Sequence, residues 1–235
     1  MTRLELHPFG PDFLDDAAGL LAHRHAAQRI FEPSLPVEFE HPEVARAAIA
    51  QLMTDDASGA VATRGGAAVG YLLGTPRASP MWGPNVWVEL SGHASAEPEA
   101  VRDLYALAAA QWVDEGRTAH YAVAPATDPA LIDAWFRLGF GQQHVHAIRE
   151  APATPLTDGI ARPDDAAHLG FAVVLEDARG AGVGKTLGTT VLDWASAEGY
   201  RAVVTDWRAT NLLSSRTWPK LGFRPTFFRL FRAVT

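Results

Sequence analysis

At 235 residues, 48% apolar and 20% charged, the chain can bury the core of one large domain or two modest ones, and its lack of cysteine excludes disulfides, thiolate metal sites and a cysteine nucleophile. No apolar run is long enough to cross a bilayer, and the N-terminus MTRLELHPFGPDFLDD lacks the basic and apolar regions of a signal peptide, so a cytoplasmic protein with no membrane partner is expected. The net charge of −7 divides into 10 Arg against 19 acids over residues 1–150 and 10 Lys plus Arg against 8 acids over 151–235, which argues against nucleic acid as partner and suits either a small polyanion in the second half or a mixed solubilising surface.

In chain order, RLEL (3–6) predicts a strand, segments near 14–30 and 43–53 predict helices, and GAVATRGGAAVGYLL (59–73) predicts a hairpin turning at Gly65-Gly66. NVWVEL (85–90) reads as a strand, then a helical segment closes at Glu115-Gly116 and AHYAVA (119–124) forms the next strand. A helix ending in Leu138-Gly139-Phe140, its glycine serving as a left-handed C-cap, leads to the strand QHVHAI (143–148). The eighteen residues between Glu150 and Leu169 are rich in Pro and Asp and look like a linker with one short element. LGFAVVLE (169–176) is read as a strand, followed by a helix with Leu187, Val191 and Trp194 on one face and Thr190 between them. RAVVTDW (201–207), a helix ending in Leu221-Gly222-Phe223 and TFFRLFRAV (226–234) complete the chain.

An internal repeat organises these elements. ATDPALIDAWFRLGF (126–140) and ATNLLSSRTWPKLGF (209–223) share their Ala-Thr, Trp and Leu-Gly-Phe positions at a constant offset of 83 (222 − 139), which also superposes Glu115-Gly116 on Glu198-Gly199. Two copies of a strand–helix–strand–helix unit are therefore expected: a full one over 1–150, a linker over 151–168, and a shortened one over 169–235 that has no room for the early helices and hairpin.

The helix of the second copy opens on DARGAGVGKT (177–186). A Walker A loop would need glycine at position 179, which is Arg179, so Gly184-Lys185-Thr186 is only a partial match; a dinucleotide fingerprint would need its third glycine at Lys185 or Leu187. What fits is R-x-x-G-x-G over Arg179, Gly180, Ala181, Gly182, Val183 and Gly184, a loop whose amides can converge on an anion at a helix N-terminus, with charge added by Arg179 and Lys185. The same stretch also serves as an ordinary tight turn.

This loop, with TDWRATNLLSSRTWPKLGF (205–223) after it, resembles the GNAT (Gcn5-related) N-acyltransferases; the resemblance covers roughly 160–235, and the first copy matches more weakly through WFRLGF and its element order. It implies an α/β (α+β) fold with a mixed, mostly antiparallel sheet flanked by helices, in two repeated units packed side by side. It further implies acetyl-CoA, or another short acyl-CoA, lying along 170–176 with its pyrophosphate on the amides of Gly180 to Gly184, an oxyanion donor at the N–H near Val174 or Leu175, and an amine acceptor that attacks the thioester directly without a metal. In the first copy AEPEAV (96–101) stands opposite 179–184 and has replaced glycine by Glu97 and Glu99 with Asp103 nearby, so only the second copy is expected to bind acyl-CoA.

Many family members carry a Tyr acid four residues before the Gly of Gly-Phe, where this chain has Trp218; water, Ser214 or Ser215 are left to protonate the thiolate. Asn211 either bonds the pantetheine arm or caps its helix. Glu176 and Asp206 are the carboxylates weighed as general base, Glu176 against a solvent-facing strand end and Asp206 against a structural pair with an arginine such as Arg208; His168 is taken for a surface residue of the linker. His23 with His25 and His144 with His146 have no third ligand at metal spacing. The seven Trp are expected mainly in the core, PMWGPNVW (80–87) being able to form an apolar lip on an acceptor pocket. A catalytically silent acyl-CoA sensor and a P-loop nucleotide-binding protein are the alternative readings. The acceptor, a small amine or peptide, and a homodimer are left open, with the acceptor site between the halves or against a partner subunit.

Overall fold

The computed structural model describes residues 3–79, 83–150, 165–170 and 172–234. The chain divides into two compact units, Met1–Phe31, Val37–Gly141 and Arg229–Thr235 in one, Glu32–Pro36 and Gln142–Phe228 in the other, so the division is not a single cut along the sequence.

The first unit holds β1 (Leu4–Pro8), α1 (Leu14–Phe31), α2 (Pro42–Ala50), β2 (Ser58–Arg64), β3 (Ala67–Ser79), β4 (Gly83–Val88), β5 (His93–Ser95), α3 (Ala100–Asp114), β6 (Ala119–Pro125) and α4 (Pro129–Arg137). Its strands run β1-β2-β3-β4-β6, with β5 paired to β3; all neighbours are antiparallel except β4 and β6. Gly65 and Gly66, at φ of 61° and 84°, make the expected turn between β2 and β3. The core is aromatic: Trp112 and Trp135 are fully buried, and a Cβ on Gly74 would stand 2.3 Å from the Trp112 ring, so only glycine lets β3 lie this close to α3. His93 is buried edge-on to Trp135, and its Nε2 lies 2.9 Å from the carbonyl of Val123.

The second unit contains β7 (Gly141–Glu150) from Gln142 onward, β8 (Ala166–Leu169), α5 (Val183–Ala197), β9 (Ala202–Arg208), α6 (Leu212–Lys220) and the first half of β10 (Arg224–Ala233), whose last residues return to the first unit beside β6. Its order is β10-β7-β9-β8, with β7 antiparallel and β8 parallel to β9. Segment Glu32–Pro36 is bound to it chemically, because the buried Glu32 carboxylate takes a two-pronged ion pair from Arg224 at 2.8 and 3.0 Å.

The repeat is reproduced element by element. α3, β6, α4 and β7 recur 83 residues later as α5, β9, α6 and β10 with identical lengths, and the left-handed C-cap glycines Gly116 and Gly139 recur as Gly199 and Gly222. The strand pairing has slipped: Asn85 faces Ala119 in the first copy, whereas Ala166 faces Ala202 in the second, a shift of two residues that keeps every side chain on its face.

Three expectations need correction. The strand read at 169–176 is Ala166–Leu169, so the last residues assigned to the linker are strand, and 151–164 lie outside the described residues. The apolar run beyond Leu169 is misleading because Val173 and Leu175 are both 77% exposed. On α5 the buried stripe is Gly188, Leu192 and Ala195, while Leu187 and Trp194 are about half exposed. Gly188 sets this rotation, since a Cβ there would meet Leu221 at 2.5 Å; apolar periodicity cannot register a packing contact made by the absence of a side chain. Trp82, in the expected lip, also lies outside the described residues.

Replacing Arg224 with Met leaves the Glu32 carboxylate buried and unpaired, an expected loss of about 2 kcal/mol by urea unfolding that the added Glu32→Gln exchange recovers in large part. Burial, with the nearby Arg24 cation, lowers the His93 pKa from 6.5 to about 3. Between those values the unfolded chain holds the extra proton, so this stabilisation is complete above pH 6.5 and is lost as pH falls toward 3. Calorimetry at pH 5 should show about one proton fewer taken up on unfolding in His93→Gln than in the parent.

Candidate functional site

In the second unit β8 and β9 pair from Ala166↔Ala202 to Leu169↔Thr205, and there β8 stops while β9 continues to Arg208. The Thr205 hydroxyl donates to the Leu169 carbonyl at 2.9 Å, closing the last rung. Beyond it the chain leaves the sheet, and among the described residues the amides of Val174 and Leu175 donate to no other residue. Two strands that part in this way expose a row of backbone donors and acceptors to whatever enters the gap.

The segment turns through a single 3-10 turn, Glu176–Ala178, into α5. Gly180 and Gly182 take φ of 84° and 82°, a conformation that a side chain at either position would strain. Gly182 is the N-cap of α5 and supplies no side-chain hydrogen bond; among the described residues the amides from Gly180 to Lys185 donate to no backbone carbonyl. Unclaimed first-turn amides and the helix dipole together favour an anion. The first copy has the opposite arrangement. There the amides of Ala100, Val101 and Arg102 donate back to Glu97, Pro98 and Glu99, Glu97 is held by Arg64 at 2.7 and 2.9 Å, and Glu99 by Arg137 at 2.9 Å.

The remaining candidate residues are distributed as follows. Arg179 is exposed and its Nε donates to the Val174 carbonyl at 3.2 Å, tying the turn to the segment before it; Ala181 and Lys185 are exposed, and Val183 is half-buried in the first turn of α5. Glu176 is exposed in the 3-10 turn. Asn211 caps α6, its side chain accepting from the Ser214 amide at 3.1 Å, and the Ser215 hydroxyl accepts from the Trp207 indole at 3.1 Å. Trp218 is 7% exposed and packs edge-on against Phe223 in the core with Leu192 and Leu221.

Asp206 has different partners from the arginine considered in the sequence. Its Oδ2 lies 3.0 Å from Nδ1 of His144 and its Oδ1 3.8 Å from Nε2 of His168. Strand register explains the grouping: His146 pairs with Asp206 across β7 and β9, and His168 with Val204 across β8 and β9, so these side chains share the sheet face opposite the one packed under α5 and α6. His168 is thus a strand residue immediately before the last rung, and Asp206 immediately follows it. Sequence spacing alone could not pair residues 62 and 38 positions apart (206 − 144 and 206 − 168). Among the described residues no three His, Asp or Glu side chains converge as a metal site, and no helix is long and apolar enough to cross a membrane.

Residues 111–223 match the family model of the acetyltransferase (GNAT) family. No curated protein sequence matches the chain. Among solved structures, a tandem GNAT protein from the clavulanic acid biosynthesis pathway is 16% identical with a TM-score of 0.54, covering 98% of both chains. A GCN5-related N-acetyltransferase from Sphaerobacter thermophilus is 11% identical with a TM-score of 0.56, covering 98% of this chain and 95% of its own. At such identities these two share the fold, a mixed and mostly antiparallel sheet flanked by helices, across the full length of the chain. The family match runs from the end of α3 to the Gly-Phe after α6, and the chain shares its fold along both units with a tandem GNAT protein.

Proposed function

We propose that the second unit transfers an acetyl or other short acyl group from coenzyme A to an amine of a small molecule or peptide. The observation that carries this reading is the contrast at the two helix starts: unclaimed amides and two left-handed glycines at α5, first-turn amides that donate back to main-chain carbonyls and two paired glutamates at α3. The residues present suit the cosubstrate. Gly180 to Lys185 would receive its pyrophosphate, and the backbone of 172–175, which has left the sheet, the amides of its pantetheine arm. The Val174 and Leu175 amides, which have no acceptor among the described residues, would donate to the oxyanion.

The acceptor nitrogen must lose a proton as its bond to the acyl carbon forms and the carbon–sulfur bond breaks. We assign that proton to His168, oriented by Asp206, because both flank the last rung before the strands part and His168 is the half-exposed member of the group. Asp206 thereby keeps its place in the site as a positioning residue. Glu176, exposed on its 3-10 turn, and Ser214, whose amide is spent on the helix cap, lack a comparable partner. Trp218 is buried and offers no exchangeable acid, so water is assigned the return of a proton to the thiolate. That same tryptophan favours a second reading, an acyl-CoA sensor without turnover.

Titration calorimetry should detect coenzyme A but not ATP, and Gly182→Val, which strains the left-handed position and crowds the amides, should weaken binding at least tenfold; equal binding of ATP would refute the site. In a thiol-release assay with acetyl-CoA and an amine panel, His168→Gln should lower kcat about 100-fold with coenzyme A affinity retained. Binding without thiol release from any amine would leave the sensor reading in its place.

A further inference from the structure

The first unit contains a cavity of about 310 Å³ between α1, the segment Ser95–Pro98 leading into α3, and the turn from β6 to α4. Its walls are mostly apolar, with Leu20, Phe31 and Pro98 among them, and it is lined by one buried cation, Arg24. The side chain of Arg24 is anchored through Nη1, which donates to the carbonyl of His93. Its Nε and Nη2 are buried without a hydrogen-bond partner among the described residues, and the residue is 8% exposed. Burial lowers its pKa to about 10, against small opposing effects of Tyr71 and Asp128, so the guanidinium is still charged at neutral pH.

A buried cation with two vacant donors is costly unless a partner arrives, and a protein that builds one into a cavity wall has prepared an anion site. Nε and Nη2, both covered in this structure, form the side-on fork of the guanidinium, whose parallel N–H groups match the two oxygens of a carboxylate. A pyrophosphate is disfavoured, since the amides at the start of α3 are already claimed. Asp128, another wall residue, caps α4 through Oδ1 at 3.0 Å from the Leu131 amide and adds a negative charge that disfavours multiply charged anions. We propose that this cavity is a binding site for a small organic monocarboxylate, held by Arg24. The site lies wholly in the first unit and is independent of the acyl-CoA reading.

Thermal unfolding of the full chain with sodium acetate, sodium propanoate or glycine, against sodium chloride and sodium sulfate at matched ionic strength, tests it. At least one carboxylate should raise Tm by about 5 °C at a hundredfold excess over its Kd, and the rise should vanish in Arg24→Met. Ala96→Phe fills the cavity from its rim and leaves Arg24 in place; it should abolish the response too, and keeps the test decisive if Arg24→Met unfolds. No response to any carboxylate, an equal response to sulfate, or an undiminished response in Ala96→Phe would overturn the proposal.

Discussion

Main-chain hydrogen bonding that is begun and then withheld governs the second unit. Parallel pairing of β8 with β9 ends at Leu169↔Thr205 although β9 runs on, and the ladder of α5 begins only with Thr186 donating to Gly182. Between these points the amides of Val174 and Leu175, and those from Gly180 to Lys185, have no carbonyl to satisfy them among the described residues. A folded chain tolerates such a stretch where solvent or a ligand provides the acceptors, and the cosubstrate binding and proton transfer proposed for this unit would be arranged around that opening.

The duplicated elements allow the two helix starts to be compared within one chain. α3 and α5 have the same length and the same place in the repeat, yet one start is closed by main-chain bonds and ion pairs and the other is capped by glycine alone. The difference lies in six residues, AEPEAV against RGAGVG, and not in the frame that holds them. Two copies of one frame can thus carry different helix starts, and the anion site proposed here belongs to the second alone. In the first unit residues 95, 96 and 98, which the repeat offset places opposite 178, 179 and 181, line a cavity with Arg24 in its wall.

Aromatic and glycine packing supports both units in complementary ways. Trp112 settles over Gly74 in the first, and Leu221 over Gly188 in the second, each large group filling the volume a Cβ would occupy. Trp218 belongs to this packing, which explains why an aromatic persists at a position where the family resemblance leads one to expect a tyrosine: the core contact with Phe223 and Leu221 is retained without the hydroxyl.

Local chemistry made much of this molecule legible before any fold was considered. The repeat offset, the helices closed by Gly139 and Gly222, the Gly65-Gly66 hairpin and the glycine turn before α5 are all set by residues within a few positions of each other, where φ preference and periodicity act directly. What needed three dimensions was every pairing across strands. The grouping of His144 and His168 around Asp206 follows from register, the end of β8 from its edge position and the Thr205 hydroxyl, and the rotation of α5 from a contact made at Gly188. The Arg24 cavity and the return of β10 to the first unit are likewise long-range outcomes. Sequence encodes such features only through which surfaces fit together, and that fit exists nowhere in the chain until it has folded.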